Sequence, residues 1–511
     1  MLFRSSAAIN GRSDDGAIEV KRKLESLLAA LLGLVVLISA VLVISNRISA
    51  PWNLKKYYSQ KLKWSNCYQR FECASFKVPI DYENLKLGQF KLQVLKRAAT
   101  DPKSRFGSLV VNPGGPGGSG IDYAFSANTI VSKDLGAKFD IIGFDGRGIG
   151  ESEPLRCLTD KEADKFIDID GDASSPKQIS ILKSAAKSFA DSCAKKAGIK
   201  LGHLSTFETA KDMDILRSAL GENKLNYLGK SYGTYLGAIY ISLYPQKVGR
   251  FVLDGAIDPN IPIREQSLNQ AAAFEKSLDE YLKKYNDFSK SDIQKFIDIS
   301  NTNPLKNKDG RKLTRSLVVT AVAASLYDNV LGWKRLSLAL NEAITNGKPD
   351  RLFRIADDYN NRDYSGHYYN NQNDIGIAIN CIDWDSRSSF DEISKFALNF
   401  VKASETFGRF IAYSELTCSY WKAPPIQPKL PFKDIKSTPF IIVGVTKDPA
   451  TPYVWSVNLA KSFPDSVLLT LDGEGHTGHN RGNSCIDSRV DSYFLRGELP
   501  SAGISCVARG N

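Results

Sequence analysis

The chain has 511 residues and a mass of 56.4 kDa, too long for one ordinary domain and ample for a large buried core. Hydrophobic residues make up 42% and charged residues 24%, with 38 Gly against 21 Pro, which excludes a disordered, collagen-like or many-span chain. The formal charge is +11, but residues 1–63 alone hold ten basic and four acidic groups, so the excess is largely amino-terminal and argues against a nucleic-acid partner.

Residues 27–44 form an unbroken uncharged run, LLAALLGLVVLISAVLVI. Eighteen helical residues span about 27 Å, close to the roughly 30 Å of a bilayer's hydrocarbon core. Lys21, Arg22 and Lys23 precede the run, which places residues 1–26 in the cytoplasm and the remainder outside. A cleavable signal peptide is the rival, but no clean small-x-small site follows the run: the best candidate ends at Ala50, with Ile48 at the wrong position and Pro51 after it. The expectation is a cytoplasmic tail over 1–26, a transmembrane signal anchor over 27–45, and a polar extracytoplasmic arm over 46–75. The protein would then be a single-pass membrane protein, or secreted if the segment is cleaved.

From 76 to 260, short apolar runs such as GSLVVN, FDIIGF, LNYLGK and RFVLD alternate with helical patterns, the grammar of a mostly parallel sheet. From 261 to 437 helical patterns dominate. Sheet grammar returns over 438–511 with FIIVGVTK and SVLLTLDGE, followed by a helix. The simplest account is an α/β core interrupted by a largely helical cap.

The eight cysteines are Cys67, Cys73, Cys157, Cys193, Cys381, Cys418, Cys485 and Cys506. They lack the C-x2-C pairs of a zinc site and fit disulfides formed outside the cytoplasm. Joining neighbours gives 67–73, 157–193, 381–418 and 485–506, one of 105 possible connectivities, among which the sequence does not choose. No cofactor or metal is called for.

Residues 229–233, GKSYG, lie between an apolar strand pattern and an apolar helix pattern. This is the G-x-S-x-G nucleophile elbow of an α/β hydrolase in its strand-turn-helix context, with Ser231 as nucleophile. A serine hydroxyl needs a base, and the chain offers His203, His367, His476 and His479. The order Ser, acid, His favours His476, just past the last long strand, with His479 as its rival. Asp448, after the strand FIIVG, is the acid, ahead of Asp465 and Asp472. The glycine-rich segment 112–120, NPGGPGGSG, follows an early strand and suits an oxyanion hole, with Gly115 and Tyr232 N–H as donors.

Together these segments resemble the tripeptidyl aminopeptidases, exported bacterial serine peptidases related to the proline iminopeptidases. The resemblance covers roughly 75–495 and rests on NPGGPGGSG (112–120), FDGRGIGES (144–152), TAKDMDILRSALG (209–221), GKSYGTYLGAIY (229–240), VLDGAIDP (252–259), Asp448-x-x-Thr451-Pro452 and GEGH (473–476). His476 is followed by Thr477 where the family commonly has Gly. The resemblance implies an α/β-hydrolase fold with a helical cap, and a cap disulfide between Cys381 and Cys418. It also implies a peptide or protein substrate with a free amino terminus, cleaved to release short peptides through an acyl-enzyme. Such an enzyme must bind an α-ammonium, and Asp383 is the cap candidate. Triad chemistry alone admits an esterase or lipase instead, and a non-catalytic cell-envelope binding module is the reading from another class.

Overall fold

A computed structural model describes residues 53–426 and 432–508. The chain divides into two units, Met1–Asn53 and Leu54–Asn511, and the described residues other than Asn53 belong to the second. The expected anchor at 27–45 lies outside the described residues. Among them, no helix is long and apolar enough to cross a membrane.

Ten strands form one sheet: β1 (Ser65–Cys67), β2 (Phe71–Pro79), β3 (Gln89–Arg97), β4 (Gly107–Asn112), β5 (Phe139–Phe144), β6 (Leu225–Lys230), β7 (Val248–Asp254), β8 (Phe440–Lys447), β9 (Ser466–Glu474) and β10 (Ser505–Val507). Their order is β1-β2-β3-β5-β4-β6-β7-β8-β9-β10. β1, β2, β3 and β5 pair antiparallel in succession, and every pair from β5 to β10 is parallel. β4 and β5 are buried at every residue, as expected of parallel strands covered by helices on both faces. With the crossover at β5-β4 and the elbow after β6, this is the α/β-hydrolase arrangement.

Two stretches differ from the sequence-based expectation. The described part of the polar arm, from residue 54, belongs to the body: the Leu54–Tyr58 helix buries Tyr57, and β1 and β2 extend the sheet edge. Alternating apolar residues in β2 find their partners on β3, which a short polar lead-in hides. Secondly, residues 160–197, expected within the core, form the helices Asp160–Ile167 and Pro176–Ala197 that attach to the cap instead. Arg315 pairs with Asp170 and, at 3.1 Å, with Asp172, and Arg362 pairs with Asp164 at 2.7 Å.

The cap proper runs from the Ile263–Lys284 helix to the Leu416–Ser419 turn of helix, and among its described residues it adds no strand to the sheet. Its helices bury their own apolar cluster, including Phe274, Leu278, Leu317, Val322, Trp333 and Leu340. The sheet has a separate one built on Leu109, Val111, Ile141, Val252, Ile441 and Phe494. Four disulfides join Cys67 to Cys73, Cys157 to Cys193, Cys381 to Cys418 and Cys485 to Cys506.

Candidate active site

Ser231 stands between β6 and the Tyr232–Leu243 helix with φ 55° and ψ −126°, a conformation that costs a non-glycine residue energy and must be held by its surroundings. Its N–H donates to the Asp254 carbonyl at 2.9 Å, and its carbonyl accepts the Thr234 N–H at 2.8 Å. The flanking glycines are sterically required. A Cβ on Gly229 would lie 2.5 Å from the Gly233 carbonyl oxygen, and one on Gly233 would lie 2.7 Å from Asn112 Oδ1.

The glycine-rich loop after β4 lies flat against this turn. Asn112 Oδ1 accepts the Gly114 N–H at 3.0 Å, and a Cβ on Gly114 would come within 2.6 Å of the Lys230 carbonyl oxygen and 2.9 Å of Ser231 Cβ. Gly115 follows at φ 117°. Tyr232 opens its helix, so its N–H has no intrahelical acceptor. Among the described residues, neither that amide nor that of Gly115 donates to another protein group. Tyr232 thus adjoins Ser231 with an unengaged N–H, and the unengaged N–H of Gly115 lies one residue beyond Gly114, which packs on Ser231.

Asp448 and His476 come together. Each carboxylate oxygen lies 2.9 Å from His476 Nδ1. The carboxylate is buried and accepts four further hydrogen bonds: Oδ1 from the amides of Ala450 and Thr451, both at 2.8 Å, and Oδ2 from Thr451 Oγ1 at 3.0 Å and Thr477 N–H at 3.2 Å. His476 donates its amide to the Tyr327 carbonyl at 2.9 Å, and the two rings meet edge to face with centroids 5.3 Å apart. The cap thus touches the imidazole directly. Thr477 has φ 68°, the left-handed region that suits the glycine common at this place in the family.

The other histidines are engaged elsewhere. His203 Nδ1 sits 3.0 Å from Glu208, His367 Nδ1 sits 2.9 Å from Asp160 on the surface, and His479 is buried with Nε2 3.6 Å from Asp491. Asp465 accepts the Ser437 amide at 2.9 Å and Asp472 accepts from Thr446 at 2.9 Å, neither at an imidazole. The ligand atoms of Asp81, His203 and Glu208 lie within 4.8 Å of one another. Glu208 already has Arg147 at 3.4 Å as its counter-charge, so the group has little call for a cation.

Asp383 is buried in the cap's Gln372–Asp383 helix. Its Oδ1 accepts the Thr206 N–H at 2.8 Å, and the Thr206 hydroxyl bridges Asp383 Oδ2 and the Tyr232 hydroxyl. Burial pushes the Asp383 carboxyl up to about 7, against the pull of the Thr206 bonds. A cavity of about 390 Å³ lies inside the cap, and Tyr327, whose ring meets that of His476, forms part of its wall. Glu415, Asn380 and Ser386 also line it. Ser386 Oγ is buried without a hydrogen-bond partner among the described residues. Burial raises the Glu415 carboxyl, and Arg264, at 2.6 Å, works against that. Sequence reasoning missed Glu415, because nothing in a helical stretch marks which carboxylate faces a cavity.

Residues 404–506 match a family model described as TAP-like protein. The chain is 34% identical to serine protease Hip1 of Mycobacterium tuberculosis, over 85% of this chain and 87% of that one. It is also 34% identical to carboxylesterase B of the same organism, over 85% and 86%. Its identity to a tripeptidyl aminopeptidase of Streptomyces coelicolor is 29%, over 90% of this chain and 85% of the relative. Similarity of that extent, joined to the α/β-hydrolase sheet and the elbow, means that the chain belongs to the tripeptidyl aminopeptidase family of serine peptidases.

Proposed function

We propose that the protein is an exported exopeptidase that releases short peptides, tripeptides in particular, from free amino termini, with Ser231, His476 and Asp448 as its triad. The observation that carries the assignment is the approach of both Asp448 oxygens to His476 Nδ1 at 2.9 Å, which leaves Nε2 free to serve Ser231. In this scheme Ser231 Oγ attacks the peptide carbonyl carbon while His476 Nε2 takes its proton. The amides of Gly115 and Tyr232 receive the developing oxyanion. His476 then gives the proton to the leaving amine, and water, activated by the same imidazole, hydrolyses the ester on Ser231. Asp448 holds one tautomer throughout and stabilises the imidazolium.

The cap cavity walled in part by Tyr327 is the place for the amino-terminal residues of the substrate. Asp383 and Glu415 are the two carboxylates considered for the α-ammonium. Glu415 is favoured because it lines the cavity and Arg264 engages only its Oε1, whereas both Asp383 oxygens accept from Thr206. Export through a membrane anchor over 27–45 is supported by four disulfides, which persist outside the reducing cytoplasm. Esterase activity is the second reading, favoured by the relative named carboxylesterase B.

Free and amino-blocked tripeptidyl fluorogenic amides, assayed beside a short-chain aryl ester, test this function. The free tripeptide is expected to be turned over much faster than its blocked form. Glu415→Gln should raise KM for the free peptide by on the order of tenfold and leave the ester rate unchanged. Equal rates on free and blocked peptides would remove the aminopeptidase assignment, and hydrolysis of the ester alone would remove the peptidase.

A further inference from the structure

The loop that carries His476 is held by four consecutive backbone amides. His476 N–H donates to the Tyr327 carbonyl at 2.9 Å and Thr477 N–H to Asp448 Oδ2 at 3.2 Å. Gly478 N–H donates to Asp254 Oδ1 at 2.7 Å and His479 N–H to Asp254 Oδ2 at 3.0 Å. Two of these four amides thus fall to Asp254, a fully buried residue at the end of β7 to which triad chemistry gives no part. The same residue reaches the nucleophile from its other side, because its backbone carbonyl accepts the Ser231 N–H at 2.9 Å.

Lys230, directly before Ser231, closes the arrangement. Its Nζ donates to the His479 carbonyl at 2.6 Å and lies 3.5 Å from Asp254 Oδ2. A buried carboxylate needs a counter-charge or several donors, and Asp254 has two amides and an ammonium. Gly255 completes the contact at φ 71°, where an added Cβ would stand 3.3 Å from His476 Cε1 and 3.1 Å from Thr451 Oγ1. The segment 254–255 therefore bears on both the elbow and the imidazole.

We propose that Asp254 is a positioning residue that sets the placement of His476 relative to Ser231, clamping the elbow through its carbonyl and the 478–479 amides through its carboxylate, with Lys230 as its counter-ion and second tie. This rests on the triad assigned above. The carboxylate is the part that matters: it accepts at two oxygens, whereas an amide side chain accepts at one and would turn an N–H2 group toward the second backbone N–H. A displacement of the imidazole by a fraction of an ångström then falls on the chemical step and leaves peptide binding in the cap untouched.

The test is Asp254→Asn in the full-length protein, with kcat expressed per site titrated by a fluorophosphonate. The expected result is a loss in kcat on the order of tenfold to a hundredfold, with KM for the free tripeptidyl amide changed by no more than about twofold. A merely structural role would lower the thermal midpoint and leave kcat per titrated site at the wild-type value, and that result would overturn the proposal. If Asp254→Asn yields no folded protein, Lys230→Met is the variant to read. It keeps the carboxylate on its two amides and removes the tie to the His479 carbonyl, so a several-fold fall in kcat at constant KM is expected and wild-type kcat would refute the clamp. Ser231→Ala, measured alongside, separates the two levels. Turnover in that variant would bring down the triad and this proposal with it. An inactive Ser231→Ala beside a fully active Asp254→Asn would bring down the clamp alone.

Discussion

Asp448 faces His476 Nδ1 with both oxygens at 2.9 Å, and it also accepts the amide of the next residue, Thr477, at 3.2 Å. One carboxylate therefore fixes the tautomer of the imidazole and the backbone that carries it. Asp448→Asn keeps the shape but places a donor against Nδ1, which would favour the wrong tautomer. A loss in kcat on the order of ten-thousandfold per folded molecule is expected. A loss of less than about tenfold in steady-state assays would show that another group orients His476.

Asp383 gives a prediction for pH. Its folded carboxyl is pushed up to about 7 by burial, whereas the unfolded chain releases the same proton near the ordinary aspartate value of 3.8. Between these two values the folded state holds the proton and the unfolded state does not, so the residue's contribution to stability falls as pH rises through the window and is level above it. Asp383→Asn, which still offers an acceptor to the Thr206 amide, has no such proton. Urea unfolding at about pH 4.5 and about pH 8 should show the variant gaining on the wild type by a few kcal/mol at the higher pH. Parallel stability at the two pH values would mean that Asp383 is ionised in the folded protein across this range.

The disulfide between Cys157 and Cys193 closes a separation of 36 residues and ties residue 157 to the Pro176–Ala197 helix. In the chain-entropy model a loop of that size contributes about 4 kcal/mol through the unfolded state. Replacing both cysteines with serine should lower unfolding stability by an amount of that order, read by denaturant titration. A change below about 1 kcal/mol would mean that cap packing alone holds the segment.

Much of the fold was readable because the signals are local. The apolar runs of β2 to β9 and the glycines at 229 and 233 report steric and burial demands within a few residues of themselves. The contact of Asp448 with His476 was readable from chain order and from the strands before them. β1 and β10 were not: each has three residues and sits beside a disulfide, which no periodicity records. The helices within 160–197 look amphipathic whichever surface they cover, so only ion pairs such as Arg315 with Asp172 reveal that they serve the cap. Asp254 is hidden for a similar reason. An Asp at a strand end is ordinary, and the amides it holds lie 224 and 225 residues further along the chain.

Peptide mapping by mass spectrometry after fluorophosphonate labelling asks whether Ser231 is a nucleophile activated by His476. A single adduct is expected, on the peptide containing Ser231. Its rate of formation should fall on the order of a thousandfold in His476→Ala and remain within about tenfold of wild type in His479→Ala. An adduct on another residue, or wild-type labelling in His476→Ala, would contradict this role.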